Sequence, residues 1–127
     1  MDIFTAGKPW IGVDLDGVLA VHDGGDFNPD KIGLPVPEMV ARVKKWLEQG
    51  LTVKIFTARV DQYQSDSDRD DVISMIRAWC KENLGSALPV VNTKDRYMLE
   101  LWDDRSVSVR TNTGEFSCAA NPVAPVR

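Results

Sequence analysis

Cysteine is scarce in this chain and histidine scarcer: two cysteines, Cys80 and Cys118, and one histidine, His22, in 127 residues. Two well-separated cysteines build neither a disulfide framework nor a zinc site, so a reducing compartment is the simplest setting. Long hydrophobic runs are missing too. No stretch approaches the ~18 consecutive apolar residues that span a bilayer. The start, MDIFTAGKPWIGVD, lacks the basic residues, apolar run and small-residue cleavage site of a secretory signal. The expectation is a cytoplasmic protein with no membrane partner. Positive charge is not in excess either: Lys and Arg number 15 against 19 Asp and Glu, a net charge of -4. That argues against a dedicated nucleic-acid surface, although a local basic site fits inside an acidic whole.

What is present is ordinary for one soluble domain: 43% apolar and 27% charged residues. Residues 10–15, WIGVDL, read as a buried strand that ends at acids followed by Gly17. Residues 22–30 are rich in turn formers and read as loop. Val36, Met39, Val40, Val43 and Leu47 recur at helical spacing and predict a helix over about 37–49, with Pro37 in its first turn and Gly50 just past its end. Residues 51–57 read as a second strand. Ser65, Asp66 and Ser67 are N-cap candidates for a second helix over about 68–83, which Gly85 would stop. Residues 88–91 and 98–102 read as further strands, and 107–110 as a short fifth at an edge. Trp46, Trp79 and Trp102 are expected in the core and Trp10 partly exposed. His22, Asp23 and Asp26 are expected in solvent. Residues 1–116 are expected to form the folded core and 117–127 a loose tail.

Strand, helix, strand, helix, strand, strand predicts an α/β fold with a mostly parallel sheet and right-handed crossovers. In such a sheet ligands bind beyond the carboxyl ends of the strands. The residues there are Asp14, Leu15, Asp16 and Gly17; then Thr57, Ala58 and Arg59; then Asn92, Thr93, Lys94 and Asp95; then Asp103 and Asp104. Several carboxylates, a hydroxyl and an ammonium on one rim suit phosphoryl transfer. Carboxylates hold magnesium, the metal offsets repulsion between a carboxylate nucleophile and a phosphate dianion, and donors stabilise charge on the phosphoryl oxygens.

In these segments the sequence resembles the haloacid-dehalogenase (HAD) superfamily of phosphatases. DLDGVL at 14–19 matches its first motif, IFTAR at 55–59 its second, Lys94 its third, and LWDD at 101–104 its fourth, in the right order across roughly residues 9–110. The resemblance implies a three-layer Rossmann-like fold of strand order 5-4-1-2-3, or a version lacking a proper fifth strand. It implies Asp14 as the nucleophile that forms an aspartyl-phosphate and Asp16 as general acid, then base. Thr57 and Lys94 would complete the catalytic set. Leu15, Thr57, Ala58, Arg59 and Lys94 would face the substrate. Asp14, Asp16 (through its backbone carbonyl), Asp103 and Asp104 would surround Mg2+. Residues 17–35 would form a helical turn and hairpin flap over the site.

The gaps between motifs leave no room for a cap domain. An open site suits a phosphorylated nucleic-acid end, a phosphoprotein, or a small phosphate ester closed over by a neighbouring subunit of a homo-oligomer. Arg59 resembles an arginine of polynucleotide-end phosphatases that approaches the substrate phosphate; a salt bridge to Asp61 or another acid is the alternative. A calcium loop is excluded because the glycine after Asp14 comes at the fourth position rather than the sixth. A receiver domain is excluded by the order in which its acids, Thr and Lys follow the strands. Two alternatives keep the fold: a protein that grips phosphorylated ends or a partner without useful turnover, and a phosphotransferase.

Overall fold

The computed structural model describes residues 7–22, 24–25, 28, 30–61 and 65–117. Strand β1 (Trp10–Val13) is buried along its whole length. It is followed by helix α1 (Pro37–Glu48), strand β2 (Thr52–Phe56), a 3-10 turn at Ala58–Asp61, helix α2 (Asp66–Leu84), and strands β3 (Val90–Val91) and β4 (Met98–Trp102). The strands form one all-parallel sheet in the order β3-β2-β1-β4. The fold class is thus the α/β class read from the sequence, in the version without a fifth strand. Of the 107–110 segment only the bridge Val109↔Phe116 forms. Val107, Val109 and Phe116 are exposed, so among the described residues that segment is not packed into the core.

The helix ends follow local chemistry. Pro37 opens α1, where its missing N–H costs nothing. The α2 cap is Ser65, whose hydroxyl accepts from the Asp68 N–H at 3.1 Å. The helix therefore begins two residues earlier than the sequence suggested, with Asp66 and Asp68 in its first turn. Gly85 ends it at φ 84°, a left-handed conformation that glycine adopts without steric cost.

Two crossovers run in the same direction, from β1 to β2 and from β2 to β3. If both are right-handed, their helices fall on one face of the sheet. Accordingly α1 and α2 touch each other and share one core, in which Met39, Val43, Ile76 and Cys80 meet Ile11, Val13, Val53 and Ile55. Burial pushes the Cys80 thiol up to about 11. Trp102 joins this core edge-on to Trp46, with centroids 5.3 Å apart. Among the described residues no helix covers the other face, so the expected three layers are two there. Cys118 lies outside the described residues, as do most of the tail, Asp23 and Asp26.

The second face is closed differently. Gly12 leaves room for the Trp10 ring to lie along the sheet: a Cβ there would come within 3.1 Å of that ring and of the Leu101 side chain. The Lys54 ammonium sits 4.7 Å from the Trp10 ring centroid. Asp95 accepts from the Trp10 indole N–H at 2.9 Å. Trp10 is therefore only 1% exposed, not partly exposed as the sequence suggested. The same indole bond, together with backbone N–H donors, holds the Asp95 carboxyl below its ordinary value.

Candidate active site at the carboxyl ends of β1 and β4

Strands β1 and β4 are neighbours, with Val13 opposite Trp102. The residues that follow them must therefore meet. The Asp14 N–H donates to the Trp102 carbonyl at 2.9 Å, which extends the ladder by one step and aims both chain ends at the same space. Asp14, Asp103 and Asp104 each offer a carboxylate oxygen, and these atoms lie within 4.8 Å of one another.

Gly17 makes the third approach possible. Its φ is +89°, and a Cβ at that position would sit 2.6 Å from Asp104 Oδ2. A side chain here would both strain the backbone and displace a carboxylate. The chain then turns tightly, with the Ala20 N–H and the Leu19 N–H both donating to the Leu15 carbonyl. It leaves as an extended arm whose Val21 N–H donates to the Leu34 carbonyl, while the returning Val36 N–H donates to Leu19. These contacts, with the bridge Ala20↔Pro35, make the base of the hairpin expected over 17–35.

The carboxylates differ in surroundings. Burial pushes the Asp14 carboxyl up to about 7, reinforced by the negative charges of Asp103 and Asp104 and opposed by the Leu15 N–H. That N–H donates to Asp14 Oδ1 at 2.8 Å. Leu15 itself is fully buried, so its side chain serves the core and its N–H serves Asp14 rather than a ligand. Asp103 accepts from the Arg105 N–H, which fixes the turn after β4.

Asp16 is not part of the carboxylate cluster. Its two oxygens accept from Arg59 Nε at 2.7 Å and from Nη2 at 2.8 Å. Of the two roles named for Arg59, the salt bridge is present, and its partner is Asp16. Arg59 is only 4% exposed. Just before it, Thr57 is buried and its Oγ1 accepts from the Arg59 N–H at 3.1 Å. The Thr57 hydroxyl keeps its own proton to donate.

A cavity of about 390 Å3 opens over these groups, lined by Asp14, Asp16, His22, Phe56, Thr57, Ala58, Arg59, Asp103, Asp104 and Arg105. Sequence reasoning placed seven of these on the rim: Asp14, Asp16, Thr57, Ala58, Arg59, Asp103 and Asp104. It missed Phe56, and it left His22 to solvent; His22 is exposed but also borders the cavity. Its place follows from the hairpin pairing at 19–21, which no spacing rule reveals.

Lys94 is not brought to the cavity. It is exposed and does not line it. The reason is the route of the chain. After β3 the segment does not stay at the carboxyl rim but returns towards the start of β4. One residue past Lys94, Asp95 already holds the indole of Trp10, the first residue of β1.

The donor set fits a hard divalent cation. Three crowded carboxylates, those of Asp14 and Asp103 partly buried and that of Asp104 exposed, repel one another, and oxygen ligands of this kind are what magnesium takes. Asp14, Asp103 and Asp104 would hold it. The Asp16 carboxylate, engaged by Arg59, leaves only its backbone carbonyl for that role.

Comparisons with known proteins agree with the fold and go no further. No protein-family model and no curated protein matches the chain. A solved structure, described as that of a conserved protein coded by a locus from Bacteroides thetaiotaomicron, is similar at a TM-score of 0.50 and 20% identity. The likeness covers 79% of this chain and 78% of that one. At this identity it shows a shared fold. No helix among the described residues is long and apolar enough to cross a membrane.

Proposed function

We propose that the protein is a magnesium-dependent phosphate monoester hydrolase of the HAD type, with Asp14 as nucleophile. The observation that carries this reading is Asp14 itself. It stands at the carboxyl end of the central strand β1, in a carboxylate trio and at the wall of an open cavity.

In this reading an Asp14 oxygen attacks phosphorus. The new O–P bond forms as the ester P–O bond breaks, and the leaving oxygen takes a proton from Asp16. Water then attacks the aspartyl-phosphate, gives a proton to Asp16, and releases phosphate and the Asp14 carboxylate. Thr57 donates a hydrogen bond to a phosphoryl oxygen. Bound magnesium supplies charge neutralisation between the nucleophile and the phosphate. Arg105 takes the place that Lys94 was expected to fill, as an exposed cation bordering the cavity. The substrate class is a phosphate ester on a nucleic-acid end, a protein or a small molecule, and the cellular setting is the cytoplasm.

The test is phosphate release from an aryl phosphate, with and without magnesium, for the wild type and Asp14→Asn. Magnesium-dependent release that the substitution abolishes is the expected result. Release that survives Asp14→Asn would end the mechanism.

A second reading draws on Lys94. Its absence from the cavity favours a protein that grips a phosphorylated end without turning it over. Magnesium-dependent binding of phosphorylated oligonucleotides, with no phosphate released from any of them, distinguishes it.

A further inference from the structure

Arg59 makes more contacts than a surface ion pair needs. Besides its two bonds to Asp16, Nη1 donates to the Asn28 carbonyl at 3.4 Å and Nη2 to the Lys31 carbonyl at 3.0 Å. One guanidinium thus joins the loop after β2, the acid after β1, and the backbone carbonyls of Asn28 and Lys31. Guanidinium is suited to this because its donors form a rigid planar fork, whereas an ammonium is a point charge. The head group is buried, so each bond acts in a less polar medium than water. The Thr57 hydroxyl holds the Arg59 N–H from below.

We propose that Arg59 is the positioning residue of the site: it fixes the orientation of Asp16 at the cavity wall and, by the same group, ties the Asn28 and Lys31 carbonyls to the loop after β2. The proposal rests on the role given to Asp16 above. An Asp16 held by two bonds has one orientation, and each of its oxygens keeps a second lone pair that can carry the transferred proton on the cavity side; an Asp16 held by none samples several rotamers, and proton transfer needs hydrogen-bond reach of the leaving oxygen. This role differs from direct contact between Arg59 and the substrate phosphate, in which the arginine would serve every substrate alike.

The distinction can be read from the leaving group. Proton donation matters for an alkyl phosphate, whose leaving oxygen is strongly basic, and much less for p-nitrophenyl phosphate, whose leaving group departs without a proton. Arg59→Lys retains the charge and loses the fork. The expected result is that its kcat falls at least about tenfold further with the alkyl ester than with the aryl ester, out of the 10²–10⁴-fold that acid–base catalysis supplies. Asp16→Asn should show the same selectivity, and the double variant should be no worse than Asp16→Asn alone, because residues acting through one another are not additive. The ratio of two substrates on one sample does not depend on how much of a variant is folded. Equal losses on both esters, or additive losses in the double variant, would overturn the proposal.

A second arm does not depend on turnover. Hydrogen exchange in the 28–36 segment should be faster in Arg59→Lys than in the wild type, while the amides of β1 keep their protection. Unchanged exchange there would overturn the tie to the hairpin. Should the wild type release phosphate from neither ester, the hydrolase reading fails, and the exchange experiment alone decides whether Arg59 clasps Asp16 to the hairpin.

Discussion

Two stretches that follow strands illustrate how position in a sheet decides what a residue can do. Asp14 and Asp103 follow β1 and β4, which lie side by side, and their carboxylates converge with that of Asp104. Lys94 follows β3, the two-residue strand at the opposite edge, and stays in solvent. The first pair has no choice of neighbour, because the ladder carries both chains to the same point. The second has no ladder partner beyond β2 and is drawn away by the need to reach β4. Convergence belongs to strands that share hydrogen bonds, and a strand end alone does not ensure it.

The sharpest way to break this contrast is substitution on each side. Asp14→Asn is expected to lower phosphate release by more than about 10³-fold, the scale of losing a nucleophile. Lys94→Ala is expected to fall well short of the roughly 10²–10³-fold that losing a charge-stabilising donor costs. Steady-state rates with an aryl phosphate check both. A large loss in Lys94→Ala would mean that the lysine reaches the site during turnover.

Next in size is Gly17→Ala, which pushes against Asp104 without changing any charge. Magnesium affinity, read by calorimetry, should weaken by about tenfold or more, the range found when the support of a metal ligand is removed. An unchanged affinity would mean that Asp104 is not a ligand.

A third test uses pH. The Asp14 carboxyl is raised to about 7 in the fold from an ordinary 3.8. Between those values the folded state holds more protons than the unfolded chain, so the stability of the metal-free protein falls as pH rises through that window. Asp14→Asn lacks this penalty. Its Tm should exceed that of the metal-free wild type at pH 8 and approach it near pH 4. Magnesium should narrow the gap at pH 8, because it binds the ionised cluster. A gap that does not depend on pH would mean that the carboxyl is not raised.

The smallest effect sits on the other side of the comparison. Asp95→Ala removes the indole bond that draws the chain away from the rim. The Tyr97 N–H loses the same acceptor, so the denaturant midpoint should fall slightly while magnesium affinity stays unchanged.

How far the sequence could be read follows the same division. WIGVDLDG and MLELWDD announce themselves, because an apolar run that ends in acids fixes both the strand and the place where it stops. The helix faces were legible from spacing, and Gly50 and Gly85 marked where the helices end. What spacing does not carry is direction. Nothing in NTKDRY says that the chain turns back across the sheet, so Lys94 was placed by its order in the chain alone. Asp16 and Arg59 are 43 residues apart, and only the folded hairpin shows that they pair. Residues 107–110 have a plausible strand pattern, but a pattern cannot supply the missing apolar neighbours. Trp10 was misjudged for a related reason: its cover comes from Lys54 and Asp95, distant polar residues that look like surface in a linear reading.

The path from β3 to β4 also sets how much length the chain can lose. It must pass β2 and β1 and descend the sheet from the level of Phe56 to that of Thr52. Strand spacing and rise make that about 20 Å, against roughly 24 Å for the seven extended steps from Val91 to Met98. Deletion and insertion are therefore unequal events between 92 and 97. An added residue bulges into water, whereas a removed one takes up the whole of that slack and straightens the turn at Asp95–Met98, and a second would pull β4 along its neighbour and carry Asp103 and Asp104 out of line with Asp14. A short, solvent-facing connection thus acts as a ruler for a carboxylate cluster it never touches.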